Sequence, residues 1–455
     1  MAMVMIVSLG VSAFADTTLT AAGEQGAFAS PDTPVSQSKT LVLSKEITAY
    51  NLDETTIKAP TISYTYSIAP ATVAAGTTVT DAGSKHTSGE SVNVPVKAGI
   101  PTPVIANNGV VSWSPSDSMT AADAGAANKK DISIDFSNVV FTGAGVYRYT
   151  ITEALTAGTT YATSGVKETS DATNGHTRYI DVYVRPATTG FVDGSTAAEW
   201  DIYGYTCFYN NTSITDANKT ATPVKTTGFV SGTTDGSTPL TADSYYTFNV
   251  TINKTVVNDG YGSATIAFPF TVIFTNSVTT EPVDIIGNIE SGTVTGWTDP
   301  SVGSLNSAGA NRQGVVNIKD GGQIKYIGIP NGTSVEVFET NIATGVTYQV
   351  DTALTTSSTT TTTDNAVVWG PAPSSAVSQS ATKEDYQSTK ATFTTTANAD
   401  DDNDYTVAIT NTLVTISPTG VALRVVPYVC MLGLGMFLII LAKRRKDEDE
   451  EAEMA

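Results

Sequence analysis

The sequence predicts an all-β chain made of two tandem β-sandwich units. Three observations carry that expectation. Threonine, valine and tyrosine are frequent and turn residues recur throughout, which is the usage of strands joined by short connections. Many segments alternate apolar and polar residues with the period of two that sends successive side chains to opposite faces of a strand, and no segment inside either unit carries a helical stripe. Twice, a lysine sits on the apolar side of such an alternation. Leu41, Leu43, Lys45 and Ile47 alternate with Val42, Ser44 and Glu46, and Phe248, Val250, Ile252, Lys254 and Val256 alternate with Thr247, Asn249, Thr251, Asn253 and Thr255. A buried ammonium is costly unless something neutralises it or reacts with it, so each lysine predicts a partner within its own core.

Composition narrows the function. The 455 residues include 24 Lys+Arg against 44 Asp+Glu, for a formal charge of −20, which excludes a nucleic-acid binder because phosphate contacts need basic patches. Charged residues make up only 15%, too few for a disordered polyelectrolyte. Cys207 and Cys430 are the only cysteines, and Cys430 lies in an apolar run, so no usable disulfide pair exists and stability must come from elsewhere.

Taken in order, residues 1–15 read as a signal peptide. Met1–Ser12 is apolar and small, and Ala13-Phe14-Ala15 suits cleavage before Asp16. The basic residues that normally open such a leader are missing, so either the true start precedes Met1 or the leader is of another kind. Residues 16–40 read as a loose arm. The first unit spans 41–214, with strands over Tyr147–Glu153 and Tyr179–Val184. Residues 215–244, rich in Thr, Gly, Ser and Asp, read as a linker. The second unit spans 245–415, with strands over Phe268–Phe274, Gln323–Ile327, Ser334–Glu339 and Tyr405–Leu413. Within it, Thr355–Thr363 reads as a solvated loop or an irregular edge strand. The apolar run Val425–Ala442, inside a segment 421–442, predicts a transmembrane helix, with the basic Lys443-Arg444-Arg445-Lys446 opening a cytoplasmic tail at 443–455. The body of the protein is therefore expected outside the cell, at its surface.

Alternation also places acids and amides in the cores. Tyr147, Tyr149, Ile151 and Glu153 share a face, as do Val335, Val337 and Glu339, and Val407, Ile409, Asn411 and Leu413. The first unit closes with Phe208-Tyr209-Asn210-Asn211-Thr212, where alternation does not say which asparagine faces inward.

These segments resemble the streptococcal pilin isopeptide-linkage domain, a family of immunoglobulin-like sandwiches on Gram-positive surfaces. In the first unit the resemblance rests on Leu41-Val42-Leu43-Ser44-Lys45 and on the run from Phe141 through Gly143-Ala144-Gly145 to Glu153. In the second it rests on Thr251-Ile252-Asn253-Lys254-Thr255-Val256, on Gly332 to Glu339, and on Ile409-Thr410-Asn411-Thr412. The stretch from Gly332 to Glu339 is equally similar to the B-type repeats of collagen adhesins. The resemblance covers both units. It implies two immunoglobulin-like β-sandwiches, each with a spontaneous amide bond between lysine and asparagine side chains assisted by the buried acid. Lys45, Glu153 and Asn210 or Asn211 would form one triad, with Asn211 preferred because Asn211-Thr212 parallels Asn411-Thr412. Lys254, Glu339 and Asn411 would form the other. Burial should lower the lysine pKa and keep the acid protonated, so that it polarises the asparagine carbonyl and passes a proton to departing ammonia. The plain alternative is a buried Lys–Glu salt bridge with no covalent bond. Each bond would form once, which is self-modification and not enzymatic turnover.

Ile416-Ser417-Pro418-Thr419-Gly420 resembles a sortase cell-wall sorting signal, although the commonest pattern places a residue between proline and threonine. It implies covalent attachment to peptidoglycan, with retention by the membrane helix as the alternative. The polymerisation lysine that shaft subunits of this family carry in a Tyr-Pro-Lys context has no match here; Pro223-Val224-Lys225 is the nearest candidate, with a plain exposed lysine as the alternative, and the resemblance alone makes other pilin subunits candidate partners. His86 and His176 lack metal-ligand spacing, Gly143-Ala144-Gly145 lacks the following helix of a phosphate cradle, and no serine elbow is present, so neither metal, cofactor nor enzyme is expected. The sequence thus predicts a structural surface protein, a pilin-like subunit or adhesin stalk. The competing class is an adhesin that binds a host or cell-surface ligand.

Overall fold

A computed structural model describes residues 24–25, 39–413 and 431–445, apart from internal stretches of which the longer are 82–91, 169–174, 187–199, 209–225, 232–241, 258–265, 277–283, 299–309, 340–346, 370–390 and 395–403. The described chain is mostly β-strand, as expected. The expected signal peptide, Asn210, Asn211, Lys225 and the motif Pro418, Thr419 and Gly420 lie outside the described residues.

The first unit opens with β1 (Thr40–Tyr50), in which Leu41, Leu43, Lys45, Ile47 and Ala49 are buried. It continues through β2 (Ile62–Pro70), β3 (Ala126–Asp135), β4 (Gly145–Leu155), β5 (Thr177–Pro186) and β6 (Trp200–Phe208). Strands β6, β5, β4 and β2 lie side by side, antiparallel, in one sheet, while β3 pairs antiparallel with β1 in another. The core between them holds Leu43 and Ile47 from β1, Ile132 and Ile134 from β3, and Tyr149, Ile151, Ile180 and Val182 from the first sheet. One helical turn, α1 (Tyr161–Ser164), interrupts the strands.

The stretch read as a linker contributes to this core. β7 (Gly228–Phe229) runs parallel to β1 at Ser44 and Lys45, with Phe229 buried. Gly228 has φ +140°, and a Cβ there would stand 2.3 Å from the Ser44 carbonyl oxygen, so only glycine lets the strands meet. β8 (Asp243–Val257) then begins in the first unit and ends in the second. Asp243 to Tyr246 run parallel to β1, opposite Ile47 to Tyr50.

The second unit comprises the rest of β8 with β9 (Ala267–Asn276), β10 (Ala310–Lys319), β11 (Gln323–Pro330), β12 (Thr333–Glu339), β13 (Thr347–Thr356), β14 (Thr359–Trp369) and β15 (Tyr405–Leu413). From Val250 onward β8 lies between β15, parallel, and β11, antiparallel. β9 sits between β10 and β12 in a five-stranded sheet. A second core joins the two sheets, with Val250 and Ile252 facing Phe270, Val272, Val335 and Val337. The threonine run falls on β13 and β14, and β14 closes its sheet, which is the edge-strand alternative.

One expectation is corrected. Residues 431–445 are helical, but no helix among the described residues is long and apolar enough to cross a membrane. Fifteen helical residues rise only about 22 Å, short of the ~30 Å hydrocarbon thickness, and that helix already includes Lys443, Arg444 and Arg445. The transmembrane segment over 421–442 is therefore not found, its first part lying outside the described residues.

Candidate functional site: two buried lysine centres

The second unit brings its predicted triad together. Lys254 lies on β8, Glu339 ends β12 opposite Phe270 of β9, and Asn411 lies on β15 opposite Val256. Parallel pairing of β8 and β15 puts lysine and asparagine on neighbouring strands, while β12 delivers the acid from the facing sheet. Lys254 Nζ is 2.7 Å from Glu339 Oε2, and Asn411 Nδ2 donates to Glu339 Oε1 at 2.8 Å. Phe268 lies beneath the ammonium, 4.2 Å from Nζ to the ring centroid. Lys254 is 1% exposed, and Glu339 and Asn411 are fully buried.

Burial pulls the Lys254 amine down from 10.5 to about 8, with Glu339 opposing the shift. About a tenth of the amine is then free at pH 7, far more than for an ordinary lysine. The geometry differs in one respect from the expected mechanism. The acid touches the asparagine nitrogen, and Asn411 Oδ1 is a buried oxygen with no hydrogen-bond partner. Glu339 thus contacts the nitrogen of the Asn411 amide and not its carbonyl oxygen.

The first unit brings together Lys45 and Glu153, and beside them stands Asp243, a residue that sequence reasoning missed. Lys45 Nζ lies 3.0 Å from Glu153 Oε1 and 2.8 Å from Asp243 Oδ2. The side chains of Lys45, Glu153 and Asp243 are 3%, 1% and 0% exposed. Asp243 reaches this place because the start of β8 runs parallel to β1. β6, which ends at Phe208, pairs with β5 in the other sheet, and Asn210 and Asn211 lie outside the described residues.

Tyrosines close the centre. Tyr64 donates to Asp243 Oδ2 at 2.6 Å and lies under the Lys45 ammonium at 4.1 Å. Tyr66 donates to Glu153 Oε2 at 2.5 Å, and Tyr161 of α1 donates to Asp243 Oδ2 at 3.2 Å. His176, in the turn before β5, places Nδ1 3.0 Å from Glu153 Oε1 and Nε2 2.8 Å from Glu168 Oε1. Burial raises the Glu153 carboxyl, but Lys45, His176 and Tyr66 outweigh it and hold the group below its usual value. The expected protonated acid is thus not what this centre contains. Hydrogen bonding to Glu153, against a smaller opposing effect of burial, raises His176 above 6.5.

A signal for the missed residues existed. Ile62, Tyr64 and Tyr66 alternate on one strand face, and Asp243 opens the same strand that carries Lys254, so its side chain lies in the first core before the strand enters the second. His176 was visible only as an isolated histidine in polar sequence.

Residues 248–368 match a family model described as a domain of unknown function, DUF7601. Among solved structures, the chain is similar to a major pilin protein of Streptococcus pyogenes at 17% identity and a TM-score of 0.36, covering 86% of this chain and 99% of that one. It is similar to a second Streptococcus pyogenes major pilin structure at 17% identity and a TM-score of 0.34, covering 83% and 100%. It is also similar to a Mobiluncus mulieris adhesin described as containing intramolecular disulfide, isopeptide and ester cross-links, at 9% identity and a TM-score of 0.22, covering 83% and 100%. No curated protein matches the chain.

Proposed function

We propose that the chain is a structural, pilin-like subunit of a Gram-positive cell surface, built from two tandem immunoglobulin-like sandwiches, each closed by an amide bond between side chains. The observation that carries this reading is the fully buried convergence of Lys254, Glu339 and Asn411 between neighbouring parallel strands. Such a group is hard to account for as stabilisation alone, because a buried ion pair seldom outperforms apolar packing. As a reaction centre it is complete. Lys254 Nζ attacks Asn411 Cγ, the Nζ–Cγ bond forms, the Cγ–Nδ2 bond breaks, and the amine proton passes through Glu339 to the departing nitrogen as ammonia leaves.

In the first unit the corresponding partner of Lys45 is Asp243. Here Nζ attacks Cγ, one Cγ–O bond breaks, and the ammonium supplies both protons of the water that leaves. Burial keeps out the water that favours the reverse reaction. The chemistry is single-turnover, and the role is mechanical.

Anchoring belongs to the same proposal. Pro418, Thr419 and Gly420 would serve a sortase that joins the chain to peptidoglycan.

Peptide mass spectrometry of the folded chain tests the two bonds together. The Lys254–Asn411 cross-linked peptide is expected to lack one ammonia and the Lys45–Asp243 peptide one water. A Lys45 peptide joined to Asn210 or Asn211 with loss of ammonia would restore the sequence-based partner, and unmodified lysines in both peptides would overturn the reading. On gels of wall extracts, a ladder is expected for a polymerising subunit and a single wall-bound species for an adhesin or its stalk.

A further inference from the structure

The two centres differ in one respect that their shared chemistry does not require. The second holds one cation and one carboxylate. The first holds Lys45 with two carboxylates, Glu153 and Asp243, and adds an imidazole that the condensation step itself does not use. We propose that His176 is the counter-ion that sets whether the first centre reacts: protonated, it neutralises Glu153, so that Lys45 and Asp243 are free to discharge each other and condense. The inference rests on the reading of Lys45 and Asp243 as a cross-link.

Charge balance carries it. For Lys45 to become a nucleophile, its proton must reach Asp243, which turns both into neutral groups. Glu153 then remains as a carboxylate with a side chain 1% exposed, and an uncompensated charge at that depth costs several kcal/mol. With His176 protonated, the pair Glu153–His176 stays balanced and the step proceeds. With His176 neutral, Lys45 is the sole cation beside Glu153 and must keep its proton. The same holds after reaction, when the Lys45 and Asp243 charges have both been consumed and His176 is the cation left facing Glu153.

The surroundings suit that role. Glu153 on β4 and Glu168 after Val166–Lys167 bind the two ring nitrogens, so both hold protons in the charged form. Asp243 of β8 adds a favourable charge, Tyr161 of α1 stands 6.4 Å away ring to ring, and Lys45 of β1 faces it across Glu153. The backbone fixes the turn, with Glu153 N–H donating to the His176 carbonyl at 2.8 Å. Glu168 is 45% exposed and His176 23%, which makes the imidazole the link from solvent to the buried acid.

The full chain, recovered unreacted from inclusion bodies and refolded at a series of pH values from roughly 5 to 9, tests this. Loss of water at Lys45–Asp243 and loss of ammonia at Lys254–Asn411 are followed in the same molecules by peptide mass spectrometry. Water loss is expected to be fast where His176 is charged and to slow about tenfold or more as pH rises through its value above 6.5. The second centre, whose amine titrates near 8, is expected not to slow over that range, and its reaction reports that the chain has folded. His176→Gln should react slowly at every pH, and His176→Lys should hold the fast rate at high pH. A pH-independent water loss in the unaltered chain, or a Gln variant as fast as it, overturns the role of His176 and leaves the cross-link standing. No water loss at any pH, with ammonia loss intact, removes the Lys45–Asp243 bond itself and the inference with it.

Discussion

At the residue scale, each centre is a buried ionisable cluster whose stability depends on protonation until the bond forms. The Lys254 amine titrates near 8 in the folded chain against 10.5 as its ordinary value. Between those values the unfolded chain binds a proton that the folded chain does not, so stability rises with pH through that window. In Asn411→Ala, where no amide can form, urea unfolding of the chain is expected to show a gain of about 3 kcal/mol from about pH 8 to about pH 10.5. That gain should be absent from Asn411→Ala/Lys254→Met, and a flat difference between the two variants would contradict the depressed amine. Removing one partner is expected to be worse than removing both. Lys254→Ala alone leaves Glu339 buried without its cation, at a cost of about 3–5 kcal/mol.

At the element scale, β8 is the decisive piece. Its fifteen residues start in one core with Asp243 and finish in the other beyond Lys254, so a single strand carries one residue of each centre. Midway, Asn249 locks it to the first unit. Asn51 and Asn249 exchange amide hydrogen bonds at 3.0 and 2.8 Å, Asn51 also donates to Thr247 Oγ1 at 2.7 Å, and Asn249 donates to the Leu52 carbonyl at 2.8 Å. Both amides are buried and satisfied, which rigidifies the passage between the cores. Asn249→Ala leaves Asn51 Oδ1 without the Asn249 donor and takes the same side chain's bond from the Leu52 carbonyl, and is expected to cost about 1–3 kcal/mol in denaturant unfolding. Because the site lies away from both lysines, the two mass losses should persist in that variant. If they vanish, the clasp is needed to align β8 with β1 and not only to stiffen it.

At the scale of the whole molecule, the proposed bonds would redirect force. Lys45 and Asp243 are 198 positions apart, so an amide between them would close most of the first unit into a loop that tension between the termini does not open. Loop closure of that size would stabilise by about 5 kcal/mol if it follows the entropy of disulfide loops. In single-molecule pulling across residues 40–413, the cross-linked chain is expected to extend without releasing either core. Lys45→Ala should add an unfolding step of roughly 650 Å, the 198 residues at about 3.3 Å each. An identical trace for both chains would mean that the first unit is not closed by this bond. With cysteines too few for disulfides, the proposed amides would give a protein of this composition its resistance to pulling.

Much of this was legible from residues alone because strand periodicity is local. Alternation placed Lys45, Lys254, Glu153, Glu339 and Asn411 in the cores, and burial agrees at every one of them. What alternation does not encode is which strand lies beside which. Only the tertiary structure put the start of β8 against β1, which brings Asp243 to Lys45. The turn that carries His176 was likewise silent, since a loop residue has no periodicity and acquires its role through the carboxylate it meets. The chain's own pattern determined that two lysines would be buried and would need partners. Sheet pairing, a long-range property, decided which side chains they meet: Glu153 and Asp243 for Lys45, Glu339 for Lys254.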